Sequence, residues 1–544
     1  MMDHKMMHMP LGTGMILSHG EHIHGHSRIG QFDGTDIHWR SFAETAQRAR
    51  KFMAALQSAG VQTNDRVATL SWNDFAHFEA YLAVPALGAV LHTLNLRLHA
   101  EQIGYIMADA EDQYLLADAS LLADLIPELN RLDALKLVIV TGDIGLLSAL
   151  EKPKIAYEDF IAAHEPMLDL PQLDEQSAAA ACYTSGTTGN PKGVVYSHRT
   201  IYLHSLASMA ANAFGLSEAD RILLLPPMFH ANAWGLPFSG WLAGADFVLP
   251  TSFLQPDMIR RMIALSAPSF TATVPTIVND LLRMDGEQPL DMSSFRLMVV
   301  GGSAMSDALL NKVERQWGIP LIQGWGMTET SPLCVLSHPA AAATPNEARK
   351  MRAKSGRPVA GVFVRLVDDA GQRVAEDGQT VGKLQLKGPW IAKGYHRVVD
   401  SDVLTADGWL NTGDAGTIDA RGYVQVTDRL KDLIKSGGEW IPSAELENII
   451  MGLPGVNLAA IIGVADPRWE ERPLAIVTSP DGAPPDFGHL RRLLQDEVAR
   501  FWIPEYWTHV ANLPLTSVGK IDKQALRKSV ENGDILFEKV DRFQ

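Results

Sequence analysis

The chain has 544 residues, a formal net charge of −16, 46% hydrophobic residues and two cysteines, Cys182 and Cys334. That length exceeds one ordinary domain and predicts a large body with at least one more domain. The acidic balance, with no Lys/Arg run, excludes a nucleic-acid surface, and two distant cysteines offer no metal or redox spacing and fit a reducing cytoplasm.

The N-terminus shows no signal-peptide pattern. His4, His8, His19, His22, His24 and His26 crowd it. They read either as imidazoles sharing a strand face around a metal or as a His-rich surface or dimer-contact segment, and no cysteine or carboxylate cluster completes a metal site. From Trp39 to about Pro171 helices and strands alternate in the manner of a doubly wound sheet. Ser41 is placed to cap a helix through Ala59, and residues 66–70 and 135–140 read as strands. The longest apolar run, from Tyr81 to Leu96, is broken by Pro85 and His92. It is too interrupted for a transmembrane helix and predicts a buried helix with its following loop.

Residues 178–183 and 194–196 read as strands around Thr184-Ser185-Gly186-Thr187-Thr188-Gly189-Asn190-Pro191-Lys192-Gly193. Glycines let backbone amides turn inward around an anion, hydroxyls add donors, and Lys192 adds a point charge. That is the chemistry of a triphosphate grip; an ordinary Gly/Ser/Thr turn is the alternative. The loop is not a Walker A motif, since Pro191 and Gly193 stand where its second Gly and Ser/Thr belong. Gly324-Trp325-Gly326-Met327-Thr328-Glu329 begins like a dinucleotide fingerprint, but Glu329 replaces the last Gly.

Further along, a helix is predicted over about 198–214 and a strand over 221–225. Strands follow at 270–274 and 295–300, the second ending in Gly301-Gly302-Ser303-Ala304, where bare backbone admits a flat ring. Ser306 is placed to cap the next helix. A strand-rich region runs from Lys354 to about Gly422. Ser443 is placed to cap a helix over 444–451, before strands at 458–464 and 474–478.

The Thr184–Gly193 loop, Pro227-Met228-Phe229-His230, Gly301–Ala304, Gln323–Glu329, Thr412-Gly413-Asp414, Asp428–Asp432 and Pro514–Asp522 follow one another in the order of the motifs of the adenylate-forming enzymes, which they resemble. That family holds acyl-CoA synthetases, peptide synthetase adenylation domains and luciferases. The resemblance spans about Trp39 to Arg527. It implies an α/β fold: a large N-terminal domain of doubly wound sheets with a β-subdomain (1–430) and a small mobile α+β C-terminal domain (431–544), hinged at Lys431. It also implies activation of a carboxylic acid by Mg·ATP and transfer to coenzyme A.

The same resemblance assigns roles. Thr184, Ser185, Gly186, Thr187, Thr188, Gly189 and Lys192 grip phosphates, and Thr184 and Glu329 hold Mg2+. Gly301, Gly302, Ser303, Gly324, Trp325, Gly326 and Met327 border the nucleotide, Thr328 meets the α-phosphate, and Asp414 and Arg429 hold the ribose. His230 gates the site and Trp234 lines the acyl pocket. Lys520, His230, Glu329 and Asp432 are the implied catalytic group. In the thioester half, the segment of Lys435, Ser436, Gly437, Gly438, Glu439 and Trp440 replaces Lys520, and Glu471 is a further binding residue. Trp469-Glu470-Glu471 departs from the family's W-G-E.

Trp72-Asn73-Asp74, Met228–Gly235 and Lys435–Ile441 look most like medium-chain fatty-acid:CoA ligases, a subgroup that includes 3-methylmercaptopropionate:CoA ligases. This implies a short-to-medium acid with an uncharged tail, a cytoplasmic homodimer, and no stable membrane insertion. An apolar pocket separates neighbouring chain lengths by only about 10–200-fold per methylene, so butyrate, hexanoate, octanoate and 3-methylmercaptopropionate all stay open. An adenylating enzyme with another acceptor and a non-catalytic nucleotide sensor are the rivals; intact Glu329, Asp414, Arg429 and Lys520 weigh against the sensor.

Overall fold

The computed structural model describes residues 5–184, 190–287, 289–302, 305, 307–399, 403–436, 439–515 and 521–540. Ser41 caps the helix Phe42–Ser58 through a reciprocal box, its hydroxyl accepting from Glu44 N while the Glu44 carboxylate accepts from Ser41 N. The helix Phe75–Leu87 is buried along its whole length, as an almost wholly apolar segment must be. It ends at Gly88, and a strand follows, Val90–Thr93, where the sequence predicted a loop. A short apolar run without alternation does not distinguish a buried strand from other buried backbone.

That strand sits in a seven-stranded sheet ordered Lys154–Ala156, Leu137–Thr141, Tyr114–Asp118, Arg66–Leu70, Val90–Thr93, Ala178–Tyr183, Gly193–Ser197. Neighbours are parallel except the last pair. A second sheet of nine strands has a parallel centre: Arg28–Phe32, Asp246–Leu249, Arg221–Leu223, Phe270–Thr273, Leu297–Val300 and Leu321–Gly326. Leu91 of one sheet and Phe247 of the other belong to one apolar core, which the helix Phe75–Leu87 also enters. In open α/β sheets ligands sit beyond the carboxyl ends of parallel strands. The predicted motifs at 184, 301 and 327 all begin there.

Four antiparallel strands follow, Phe363–Val367, Gly382–Lys387, Leu410–Ile418 and Val424–Arg429. A separate six-stranded sheet holds Ile434–Ser436, Glu439–Ile441, Leu458–Asp466, Glu470–Thr478, Tyr506–His509 and Glu538–Lys539. It builds its own apolar core around Trp507.

Two local expectations are corrected. His19 and His22 lie on a helix, Thr13–Ile23, not on a strand face, and among the described residues no three His, Cys, Asp or Glu side chains are placed to share a metal. Ser443 is the first residue of the helix Ser443–Met451 rather than its cap, and its hydroxyl donates to Asp428 Oδ2 instead. Ser306 lies outside the described residues. Among the described residues no helix is long and apolar enough to cross a membrane.

Candidate active site

The described ends of the Gly/Thr loop are pinned together. Thr184 N donates to Lys192 O at 2.9 Å, and Lys192 N reaches Thr184 Oγ1 at 3.4 Å. Ser185, Gly186, Thr187, Thr188 and Gly189 lie outside the described residues. Beyond the loop, Tyr196 Oη donates to Thr328 O at 2.8 Å, so the strand leaving the loop is bonded to the turn that carries Thr328 and Glu329. Glu329 is 6% exposed. Tyr395, which the sequence reading passed over, donates to its Oε1 at 2.6 Å.

Gly326 ends its strand because nothing larger fits: a Cβ there would lie 1.9 Å from Pro332 O. The tight Met327–Ser331 turn that results folds Thr328 and Glu329 back toward the loop. One strand residue earlier, Trp325 Nε1 donates to Asp414 Oδ2 at 3.1 Å, and Arg429 Nε pairs with Asp414 Oδ1 at 2.9 Å. Asp414 and Arg429 face each other directly across two antiparallel strands. The predicted ribose pair is therefore one assembled unit, oriented by the Gly324–Glu329 segment.

The His230 segment has an unusual backbone. Ala231, Asn232, Ala233, Trp234 and Gly235 carry φ of 45°, 52°, 48°, 60° and 74°. Left-handed turns of this kind cost non-glycine residues about 1–2 kcal/mol each, so the surroundings must impose this one. Fully buried groups do: Tyr81 Oη and Cys182 Sγ both reach Asn232 Oδ1, at 3.3 and 3.4 Å. The turn lays the Trp234 ring against Gly301, where an added Cβ would stand 2.8 Å from Trp234 Cη2 and 3.1 Å from Gly324 O. His230, just before the turn, is half-buried. No sequence signal marked this left-handed run, because alanine and tryptophan do not favour it. Gly302 is described with a φ of 85°, and Ser303 lies outside the described residues.

On the C-terminal side, Lys435 N donates to Glu471 Oε2 at 2.9 Å, and buried Ser436 accepts from Arg472 Nη1 at 2.7 Å. Ser436 and Lys435 pair in register with Glu439 and Trp440. Gly437, Gly438 and Lys520 lie outside the described residues. Asp432 is held by Arg527 at 2.6 Å. Burial pushes the Lys431 ammonium below its ordinary value. Glu470 has a φ of 68° at the position where the sequence departs from W-G-E, the conformation a glycine adopts freely.

A family model described as AMP-binding enzyme matches residues 25–396, and one described as AMP-binding enzyme C-terminal domain matches 445–520. The chain is 38% identical to a 3-methylmercaptopropionyl-CoA ligase of Ruegeria pomeroyi, over 96% of this chain and 98% of that one. It is 41% identical to a long-chain-fatty-acid–CoA ligase of Thermus thermophilus, over 91% of each. Identity to a medium-chain-fatty-acid–CoA ligase of Ectopseudomonas oleovorans is 38%, over 98% of each. The crystal structure of the anthranilate CoA ligase AuaEII with anthranoyl-AMP superposes with a TM-score of 0.87 at 24% identity, covering 97% of this chain and 99% of that chain; it shares the fold.

Proposed function

The chain belongs to the AMP-binding enzyme family, and we propose that it is an ATP-dependent acyl-CoA ligase acting on short-to-medium-chain carboxylic acids. The observation that carries this reading is the set of contacts that brings the motif residues together. Lys192 and Glu329 meet at Tyr395, Trp325 joins Asp414 and Arg429, and Trp234 lies on Gly301.

In the first half-reaction the substrate carboxylate attacks the α-phosphorus of ATP, giving acyl-AMP and pyrophosphate. The carboxylate is already ionised at neutral pH, so no base is needed, and catalysis is positioning and charge stabilisation. The 184–193 loop holds the departing pyrophosphate, Asp414 and Arg429 the ribose, and Thr328 the α-phosphate. The Glu329 carboxylate and the Thr184 hydroxyl are hard oxygen donors of the kind Mg2+ takes. Bound there, Mg2+ would neutralise phosphate charge. Lys520 neutralises charge at the reacting carboxylate; one such preorganised donor is worth about 10²–10³ in rate. In the second half the CoA thiol attacks the acyl-AMP carbonyl, giving thioester, AMP and a proton. Rotation of residues 431–544 about Lys431 takes Lys520 away and brings the Lys435–Trp440 segment and Glu471 in. Asp432 secures that hinge through Arg527.

His230 guards the entry, and the Trp234 indole against Gly301 limits the tail. That favours acids such as 3-methylmercaptopropionate or medium-chain fatty acids, the substrates named for two of the relatives, over the long chains named for the third. A cytoplasmic homodimer belongs to the same proposal.

The test is CoA-dependent AMP release with Mg·ATP over C2 to C16 acids and 3-methylmercaptopropionate, with the thioester identified by mass. A maximum between C4 and C10, or at 3-methylmercaptopropionate, supports the reading. A maximum at C16 overturns the chain length, and acid-dependent pyrophosphate exchange without thioester moves the acceptor away from CoA. Lys520→Ala should lose adenylation yet still convert supplied acyl-AMP to thioester.

A further inference from the structure

Three consecutive residues, Tyr395, His396 and Arg397, each bond to a different part of the large body. Tyr395 Oη donates to Glu329 Oε1 at 2.6 Å. His396 N donates to Gly193 O at 2.8 Å, at the exit of the phosphate loop. Arg397 donates to Asp109 O at 3.0 Å and pairs with Glu111 at 2.6 Å, at the C-terminal end of the helix Ala100–Ala110. A few residues earlier, Ala392 N donates to Glu329 O at 2.8 Å. The segment thus spans the gap between the phosphate loop and the Glu329 turn, held at both ends by backbone bonds.

Within that brace Tyr395 has two faces. Its hydroxyl holds one oxygen of the Glu329 carboxylate. Its ring lies beneath the Lys192 ammonium, 5.0 Å from the ring centroid, within the range of a cation–π contact. Glu329 and Lys192 carry opposite charges, and ATP needs both in fixed places, one for its metal ion and one for its phosphates. Tyr395 contacts both through a neutral group.

We propose that Tyr395 is a positioning residue for the nucleotide: it orients Glu329 toward the Mg2+ of Mg·ATP and holds Lys192 apart from Glu329, on the phosphates. This deepens the reading above and rests on its assignment of Glu329 and Lys192.

The two faces separate by substitution. Tyr395→Phe keeps the ring under Lys192 and removes only the hydroxyl; Tyr395→Leu removes both. ATP binding to the full-length protein is measured by calorimetry with Mg2+ and with EDTA. Tyr395→Phe should weaken Mg·ATP about ten-fold, the scale of one hydrogen bond to a charged group, with metal-free ATP affinity within two-fold of wild type. Tyr395→Leu should weaken both. In a Glu329→Gln background, Tyr395→Phe should add less than two-fold, since the two act through one carboxylate. The proposal is overturned if Tyr395→Phe binds Mg·ATP like wild type, if it loses affinity equally with and without metal, or if its loss adds in full to that of Glu329→Gln. Wild-type protein whose ATP affinity ignores Mg2+ would instead overturn the underlying assignment of Glu329.

Discussion

Trp325 Nε1 donates to Asp414 Oδ2 at 3.1 Å, so an indole from the strand before the Thr328–Glu329 turn fixes the carboxylate that Arg429 holds from the other side. Asp414 is 2% exposed. A buried carboxylate that loses a donor is left partly unsatisfied. Trp325→Phe, which keeps a ring but not the N–H, should raise the KM for ATP in pyrophosphate exchange about ten-fold, with a smaller change in kcat. Asp414→Asn should cost more, since it also breaks the pairing with Arg429. An unchanged KM in Trp325→Phe would detach the indole from nucleotide binding.

The contact between Trp234 and Gly301 sets a second expectation. Gly301→Ala would place a methyl 2.8 Å from the ring and 3.1 Å from Gly324 O, so the indole must move. Activity on the preferred acid should fall, because the displaced ring reshapes the tail pocket. Trp234→Ala should do the reverse for long substrates, moving the maximum of kcat/KM toward longer acids by two or more carbons. The expected discrimination is about 10–200-fold per methylene at the pocket's end. A panel from C4 to C16 measures both variants, and an unmoved optimum in Trp234→Ala would mean the tail runs elsewhere.

The sequence made many of the strands and turns legible because their signals are local. The capping box at Ser41, the apolar run at 297–300 and the glycines at 301, 302 and 326 all follow from residue type and spacing. What escaped it depends on distant partners. Tyr395 reads as an ordinary tyrosine after a glycine until Glu329, 66 positions away, is brought to its hydroxyl. The left-handed turn at 231–235 exists because Tyr81 and Cys182 hold Asn232 from other strands and helices. Ser443 looked like a helix cap because serines before helices usually are, and Asp428 claimed its hydroxyl.

That Asp428–Ser443 pairing crosses the proposed hinge. Asp428 lies on the strand that ends before Lys431, whereas Ser443 begins the first helix after it; Lys523, on the later helix Lys523–Glu531, donates to Ser443 Oγ at 2.5 Å and pairs with Glu447 at 2.8 Å. The Asp428–Ser443 bonds tie residues 431–544 to the preceding strand in one orientation, so losing them should bias the two half-reactions in opposite senses. Asp428→Ala should change the ratio of pyrophosphate exchange to thioester formation from supplied acyl-AMP by about ten-fold. Equal loss in both assays would reduce the pairing to local structure.

Three buried histidines contribute to the response to acid. Burial lowers the pKa of His77 and His198 to about 4 and that of His204 to about 3, from an ordinary 6.5. His204 stays neutral because its Nε2 accepts from Leu333 N at 3.2 Å, a bond that protonation removes. Between pH 6.5 and the lowered values the unfolded chain binds protons that the folded chain refuses. Stability from these groups is therefore complete above pH 6.5 and is lost as pH falls toward 4. Each unit of separation is worth about 1.4 kcal/mol per group. Asp74 opposes them, because burial raises its carboxyl to about 6 and the folded form holds its proton between 3.8 and 6. Burial also raises Glu79, Asp112, Glu445 and Glu447, which act in the same sense as Asp74, so the histidine share is read from how the slope of the urea midpoint between pH 6.5 and 4.5 differs between wild type and a histidine variant. His204→Gln supplies an uncharged acceptor at a similar reach. Its midpoint should start lower at pH 7.5, from imperfect packing, yet decline less steeply by about one proton's worth of slope. A slope equal to that of wild type would show that His204 takes no part in the acid response.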